Sequence, residues 1–170
     1  MPDRPHPDSN YRSTRYSVAR TATHCRHCGR WTRVLALGLP ADHETLDTET
    51  SDESDAWHPA GANAFLFYVA YLPEAVQRRL FQVSPTFRPA HSEATANSYW
   101  ANHCEHCDSR LADHELHCEP DGAFTPCSET EAAGIELLQI EEPFEAAAAG
   151  CTLEPEFFQF MRVDKWPFIS

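Results

Sequence analysis

The sequence lacks a long apolar run, and this absence excludes two classes of protein. Nowhere in its 170 residues does it approach the run of about 20 apolar residues that a membrane-spanning helix needs. The opening residues, Met1 to His6, are not followed by the apolar segment of a secretory signal. We therefore expect a cytoplasmic protein with no membrane partner.

Basic residues are scarce, with 13 Lys and Arg against 26 Asp and Glu and a formal net charge of −13. The few cations are concentrated, because residues 1–33 contain seven arginines and only two aspartates. An acidic body repels nucleic-acid phosphates, so nucleic-acid binding would depend on this basic segment. Residues 1–20 also lack periodic apolar spacing, and we predict a disordered basic arm there, either solvated or docked on the acidic body.

The composition resembles that of soluble globular proteins, with 42% hydrophobic and 23% charged residues. The length suits one domain, which we place at residues 21–170. Residues 41–60 are predicted to form an acidic mobile loop, because the segment from Asp42 to Asp55 has seven acidic residues and no basic one. This segment has neither the spacing nor the turn glycine of a calcium-binding loop.

One clear helix is predicted over residues 73–83, where apolar residues recur at helical spacing. Pro73 suits the first turn of this helix, and Pro85 follows its end. We place Arg78 and Arg79 on its solvent side.

Runs dense in apolar and aromatic residues predict strands at 31–39, 65–71, 98–101, 135–140 and 156–163. The Ala-rich segment 143–150 is predicted to form a short helix. The expected fold class is α+β, with zinc-ribbon-like antiparallel strands, an inserted helix and C-terminal strands.

Four of the seven cysteines form two C-x-x-C pairs, Cys25 with Cys28 and Cys104 with Cys107. In a reducing compartment such pairs indicate metal binding or redox chemistry rather than disulfides. A tight bend presents both sulfurs of a pair to one cation, and two bends complete a tetrahedral site. We therefore predict a structural Zn²⁺ held by these four cysteines. The long insert between the pairs does not exclude this, because the cost of loop closure grows only logarithmically with length.

The residue after each pair affects the bend. Gly29 permits the left-handed backbone that such bends often need, and Asp108 tolerates it less easily. Three other uses of the cysteines remain open: a redox dithiol, an iron–sulfur cluster, and mixed ligation with a nearby histidine, namely His24, His27, His103 or His106. We expect these histidines to be neighbours of the site or hydrogen-bond donors around it.

Residues 113–124 are rich in side chains capable of catalysis. His117 and Glu119 match the H-x-E half of a zinc-deaminase signature, but the P-C-x-x-C half is missing downstream. A metal-dependent hydrolase or deaminase centred on Asp113, His117 and Glu119 is therefore a secondary alternative. The remaining cysteines stand alone, and we expect small buried side chains rather than nucleophiles at Cys118, Cys127 and Cys151.

Together these motifs resemble a family of uncharacterised bacterial zinc-ribbon-like proteins. The resemblance covers residues 22–125, and its matching residues are Cys25, Cys28, Leu72, Pro73, Asn102 to Cys104, Cys107, Asp113, Leu116, His117, Glu119, Pro120 and Gly122 to Phe124. Asp108 and Ala112 depart from it, because the family pattern has glycine at both positions. The resemblance implies the metal site and assigns no activity.

The sequence thus favours a zinc-binding interaction, adaptor or regulatory protein over an enzyme. Four thiolates leave no open metal position for water or substrate. We expect a protein partner. The first alternative is a nucleic-acid-binding zinc-ribbon protein that uses the basic N-terminal arm, and the second is the hydrolase or deaminase.

Overall fold

A computed structural model of the chain describes residues 8–47, 56–92 and 97–167. Its strands are β1 Tyr11–Ser13, β2 Tyr16–His24, β3 Trp31–Leu39, β4 Glu44–Asp47, β5 Ala56–Pro59, β6 Ala64–Tyr71, β7 Phe87–Ser92, β8 Asn97–His103, β9 Arg110–Leu111, β10 Glu136–Ile140, β11 Phe144–Leu153 and β12 Arg162–Lys165. Its α-helices are α1 Glu74–Val83, α2 Asp113–His117 and α3 Glu129–Ala133. Among the described residues, no helix is both long and apolar enough to cross a membrane.

The strands form one curled sheet in the order β12-β10-β2-β3-β6-β11-β1-β4-β5. Strand β6 is its centre, because β8 also pairs with it and brings in β7 and β9. Apart from the parallel pair β10 and β12, these strand pairs are antiparallel. The two C-x-x-C pairs lie at the ends of two hairpins of this sheet, β2–β3 and β8–β9.

Strand β3 is buried on both faces, because successive side chains of a strand point in opposite directions. Leu35 and Leu37 belong to one apolar cluster with Tyr16, while Val34 and Ala36 belong to a second cluster. The second cluster also contains Cys25 and Cys104. The candidate metal ligands are therefore continuous with the core.

The predicted α+β fold with a zinc-ribbon-like body is wrong, because the structure is mostly β-strand. The Ala-rich segment, predicted to be a helix, lies within strand β11, between β1 and β6. Two strand partners and the burial of Ala146 and Ala148 outweigh the helix preference of alanine. In the predicted strand 156–163, Phe157 has a φ of 60° and starts a short 3₁₀ turn, which delays β12 to Arg162–Lys165.

The other predicted elements are confirmed. The helix is α1, and four predicted strands correspond to β3, β6, β8 and β10. Arg79 is an exception within the helix, because it is not on the solvent side. It is ion-paired with Glu142, and its guanidinium lies 5.5 Å from the ring centroid of Trp166.

The predicted disorder of residues 1–20 is wrong for its described part, residues 8–20. Tyr16 and Val18 of β2 are buried in the first core cluster and Ala19 in the second, and β2 lies between β3 and β10 in the sheet. The ends of the predicted acidic loop 41–60 pair with each other as β4 and β5. Its middle, residues 48–55, and residues 1–7 of the arm lie outside the described residues.

Candidate metal centre

The first C-x-x-C pair closes the hairpin between β2 and β3. The backbone N–H of Cys25 donates to the carbonyl of Arg30 at 2.9 Å, and Gly29 N–H donates to the carbonyl of Cys25 at 2.8 Å. Gly29 has a φ of 77°, which a residue without Cβ adopts at no steric cost. A further N–H, that of His27, lies 3.4 Å from the Cys25 sulfur.

The second pair repeats this geometry between β8 and β9. Cys104 N–H donates to the carbonyl of Ser109 at 2.9 Å, and Asp108 N–H donates to the carbonyl of Cys104 at 3.0 Å. Asp108 takes the place of Gly29 and is also left-handed, with a φ of 62°. Arg88 lies 2.6 Å from the Asp108 carboxylate, and this hydrogen bond and its charge lower the pKa of Asp108.

The structure brings the four predicted cysteines together. Their ligand atoms all lie within 4.8 Å of one another, so they could hold one metal ion. The sulfurs of Cys25 and Cys107 are 3.6 Å apart, as are those of Cys28 and Cys104. A disulfide requires about 2.05 Å, so these contacts are not disulfides. Cys25 and Cys104 are buried, while Cys28 and Cys107 are exposed, which puts the site at the surface edge of the core.

Cys28 and Cys104 differ in how readily their thiols ionise. Burial opposes ionisation of Cys104, but backbone N–H groups of Cys107 and His106 outweigh it and lower the pKa of Cys104 to about 6. A backbone N–H of Arg30 favours the Cys28 thiolate, but partial desolvation and the neighbouring sulfurs raise the pKa of Cys28 to about 11. Thiolates this close repel one another, and a bound cation lets all four lose their protons.

Three side chains hold the second hairpin against β3. The buried amide of Asn102 makes two hydrogen bonds to the backbone of Leu35, at 2.8 and 2.9 Å. Glu105 N–H donates to Thr32 Oγ1 at 3.0 Å, and His106 Nε2 lies 3.0 Å from the carbonyl of Trp31. The two cysteine pairs are thus aligned by protein contacts as well as by any metal. His106 was expected to lie around the site, but sequence reasoning missed Asn102 and Thr32 as site elements, because side-chain bonds to a distant backbone leave no motif.

Three histidines near the cysteines, His24, His103 and His106, have ring partners outside the sulfur cluster. His24 Nδ1 lies 3.2 Å from the carbonyl of Gly29, and the His24 ring packs against that of Trp31. His103 Nδ1 contacts the carbonyl of Thr86 at 3.1 Å. Within the described part of the chain, the group of potential metal ligands around the cysteines contains no histidine. Mixed ligation by His24, His27, His103 or His106 is therefore not supported.

Asp113, His117 and Glu119 do not converge on one site, since their ligand atoms do not all lie within 4.8 Å of one another. Asp113 is buried and accepts a hydrogen bond from Tyr68 N–H at 2.7 Å, and burial raises its pKa to about 6. The buried ring of His117 stacks on Phe124, and burial lowers its pKa to about 3. Glu119 is ion-paired with the guanidinium of Arg26.

The three remaining cysteines differ from expectation. Cys118 and Cys127 are exposed, and Cys151 is half-buried on β11, where it packs against the first apolar cluster. Cys127 is close to Asp121 and Glu131 in a second group of potential ligands, all three of them exposed. Glu131 Oε2 already accepts the N–H of Cys127 at 2.7 Å.

No family model, no curated protein and no solved structure matches this chain. The resemblance to zinc-ribbon-like proteins therefore stays a prediction, and the function is argued from the site.

Proposed function

We propose that the protein binds one structural Zn²⁺ through Cys25, Cys28, Cys104 and Cys107, and that it acts as an interaction protein. The observation that carries the proposal is the sulfur geometry. Zinc–thiolate bonds of about 2.3 Å give a tetrahedron with sulfur–sulfur edges of about 3.8 Å. The two contacts of 3.6 Å are close to that edge.

The proposed role of the metal is structural, because four thiolates fill the tetrahedral shell. Zinc would join the tips of two hairpins that are far apart in the sequence. It would also neutralise thiolates at a place where the second apolar cluster reaches the surface. Loss of the ion should therefore cost stability rather than remove a reaction.

Trp31 supports a partner at this end of the molecule. It directly follows the first bend, its side chain is 60% exposed, and its carbonyl contacts His106 of the second bend. Tryptophan is enriched at protein interfaces, where it contributes a large share of the binding energy. We infer that the partner is a protein that covers Trp31.

The charges favour a protein over a nucleic acid. Among the six arginines within residues 8–33, five are ion-paired with carboxylates of the same chain, and the pairs are Arg12–Glu44, Arg15–Asp42, Arg20–Glu136, Arg26 with Glu115 and Glu119, and Arg33–Glu105. The carboxylate beside each of these cations competes with a phosphate for the cation and repels the phosphate. The basic segment thus balances the acidic body, which reduces its attraction for nucleic acid.

The metal is tested by elemental analysis of protein purified without a metal-affinity tag. We expect about one zinc per chain. Cys104→Ser should lose it, and Cys118→Ser, at an exposed cysteine outside the cluster, should keep it. Iron, or zinc retained by Cys104→Ser, would contradict the proposal.

The partner is tested with a photo-crosslinking amino acid at position 31 and, as a control, at exposed position 78 on α1. We expect an adduct at position 31 that protease degrades and nuclease does not, and that Cys104→Ser abolishes. A nuclease-sensitive adduct would support the nucleic-acid alternative instead. Equal adducts at both positions would contradict a specific partner at Trp31.

A further inference from the structure

A cleft of about 750 Å³ lies on the sheet away from the four cysteines, where β8 and β11 flank β6. Strand β8 pairs with β6 only at Val69 and Trp100, and the register of β11 on β6 shifts between Ala147 and Ala148. The strand pairing is therefore irregular at this point. Alanines line the floor of the cleft and leave the space open.

Tyr68 lines this cleft from a strained backbone. Its φ is 50°, which bulky residues rarely adopt. The buried carboxylate of Asp113 holds this conformation by accepting Tyr68 N–H at 2.7 Å. Strained backbone of this kind clusters at binding and catalytic sites. Here it places the Tyr68 ring edge-on to Tyr99, with centroids 5.2 Å apart.

A cation completes the cleft. The guanidinium of Arg110 lies 5.7 Å from the ring centroid of Tyr99 and lines the same space. Within residues 8–47, 56–92 and 97–167, no carboxylate is ion-paired with Arg110, whereas most arginines of this acidic chain have such a partner. Asp8 also lines the cleft and already has an interaction of its own.

We propose that this cleft binds a small aromatic anion, with its ring against Tyr68 and Tyr99 and its anionic group on Arg110. Two half-buried tyrosines offer ring edges and faces for stacking. A guanidinium matches a carboxylate or a phosphate with two parallel hydrogen bonds. The inference does not depend on the metal or on a partner at Trp31.

The test uses the full chain labelled with ¹⁵N and titrated with benzoate, phenyl phosphate and the neutral control benzyl alcohol. We expect saturable shifts of the Tyr68, Tyr99 and Arg110 amides, with a Kd of about 1 mM or below for at least one anion. Benzyl alcohol should bind more weakly than that anion. Saturation by benzoate alone or by phenyl phosphate alone identifies the anionic group.

Two arginine variants decide the role of the cation. Arg110→Gln should weaken anion binding by about tenfold, because a charged hydrogen bond is lost. Arg78→Gln, at an exposed arginine on α1, should bind like the unchanged protein. Circular dichroism checks that both variants are folded. Equal affinity of Arg110→Gln and the unchanged protein, or no saturable shift with either anion, would overturn the proposal.

Discussion

Asn102 and Leu35 are 67 residues apart in the sequence and are joined by two buried hydrogen bonds. Asn102 Oδ1 accepts the N–H of Leu35 at 2.8 Å, and Asn102 Nδ2 donates to the carbonyl of Leu35 at 2.9 Å. The amide side chain thus acts as a strand partner for β3. It fixes the distance between the two hairpins that carry the cysteine pairs.

Replacing this amide should destabilise the fold. In Asn102→Leu the N–H and carbonyl of Leu35 lose their partners in a buried place, and each such group costs about 1–3 kcal/mol. We expect the free energy of unfolding in urea to fall by about 2–4 kcal/mol. Asn97→Leu, at an exposed asparagine of the same strand, is the control and should change it by less than about 0.5 kcal/mol. Equal losses in the two variants would contradict this role.

Asp108 provides a test of the bend itself. Because its φ is 62°, Asp108→Gly should relieve strain, and Asp108→Ala should keep it. We expect the glycine variant to be more stable than the alanine variant by about 1 kcal/mol in thermal or urea unfolding. Both lose the ion pair with Arg88, so their comparison isolates the backbone.

At Arg78, in the middle of α1, we expect the opposite order of stability for the glycine and alanine variants. There the alanine variant should be the more stable by about 1 kcal/mol, because glycine is a poor helix residue. The same order at both positions would show that the left-handed backbone of Asp108 is not the cause.

Burial raises the pKa of Asp113 from 3.8 to about 6, so the folded chain holds this proton over a range in which the unfolded chain has lost it. The contribution of this group to stability is present below the unfolded pKa and is lost as the pH rises through the folded one. The side-chain amide introduced by Asp113→Asn would keep an oxygen for Tyr68 N–H without a charge. The stability of Asp113→Asn relative to the unchanged protein should therefore increase by about 1 kcal/mol between about pH 5 and about pH 7.5. A difference that stays constant with pH would contradict the buried titration.

The candidate metal site could be predicted from the sequence because each C-x-x-C bend is local. Cys25 and Cys28, and likewise Cys104 and Cys107, are brought together by hydrogen bonds within six residues. That the two pairs lie together despite the long insert could be predicted only because one metal ion needs four sulfur ligands. The contacts that align the two bends, such as Asn102 with Leu35, could not be predicted because they depend on the sheet.

The fold itself was harder to predict, because tertiary pairing overrides local preference. The alanines of β11 favour a helix in isolation, yet β1 and β6 pair with them on both sides. Tyr16 and Val18 lie in a segment rich in Ser and Arg, and two apolar residues two positions apart are too short a pattern to predict the strand β2. Helix α1 was predictable, because its spacing and flanking prolines are local signals.

The most direct measurement is X-ray absorption at the zinc edge of protein purified without a metal-affinity tag. The proposed centre predicts a shell of four sulfur atoms at about 2.3 Å from zinc. A shell that contains nitrogen or oxygen at about 2.0–2.1 Å, or the absence of a zinc edge, would contradict it.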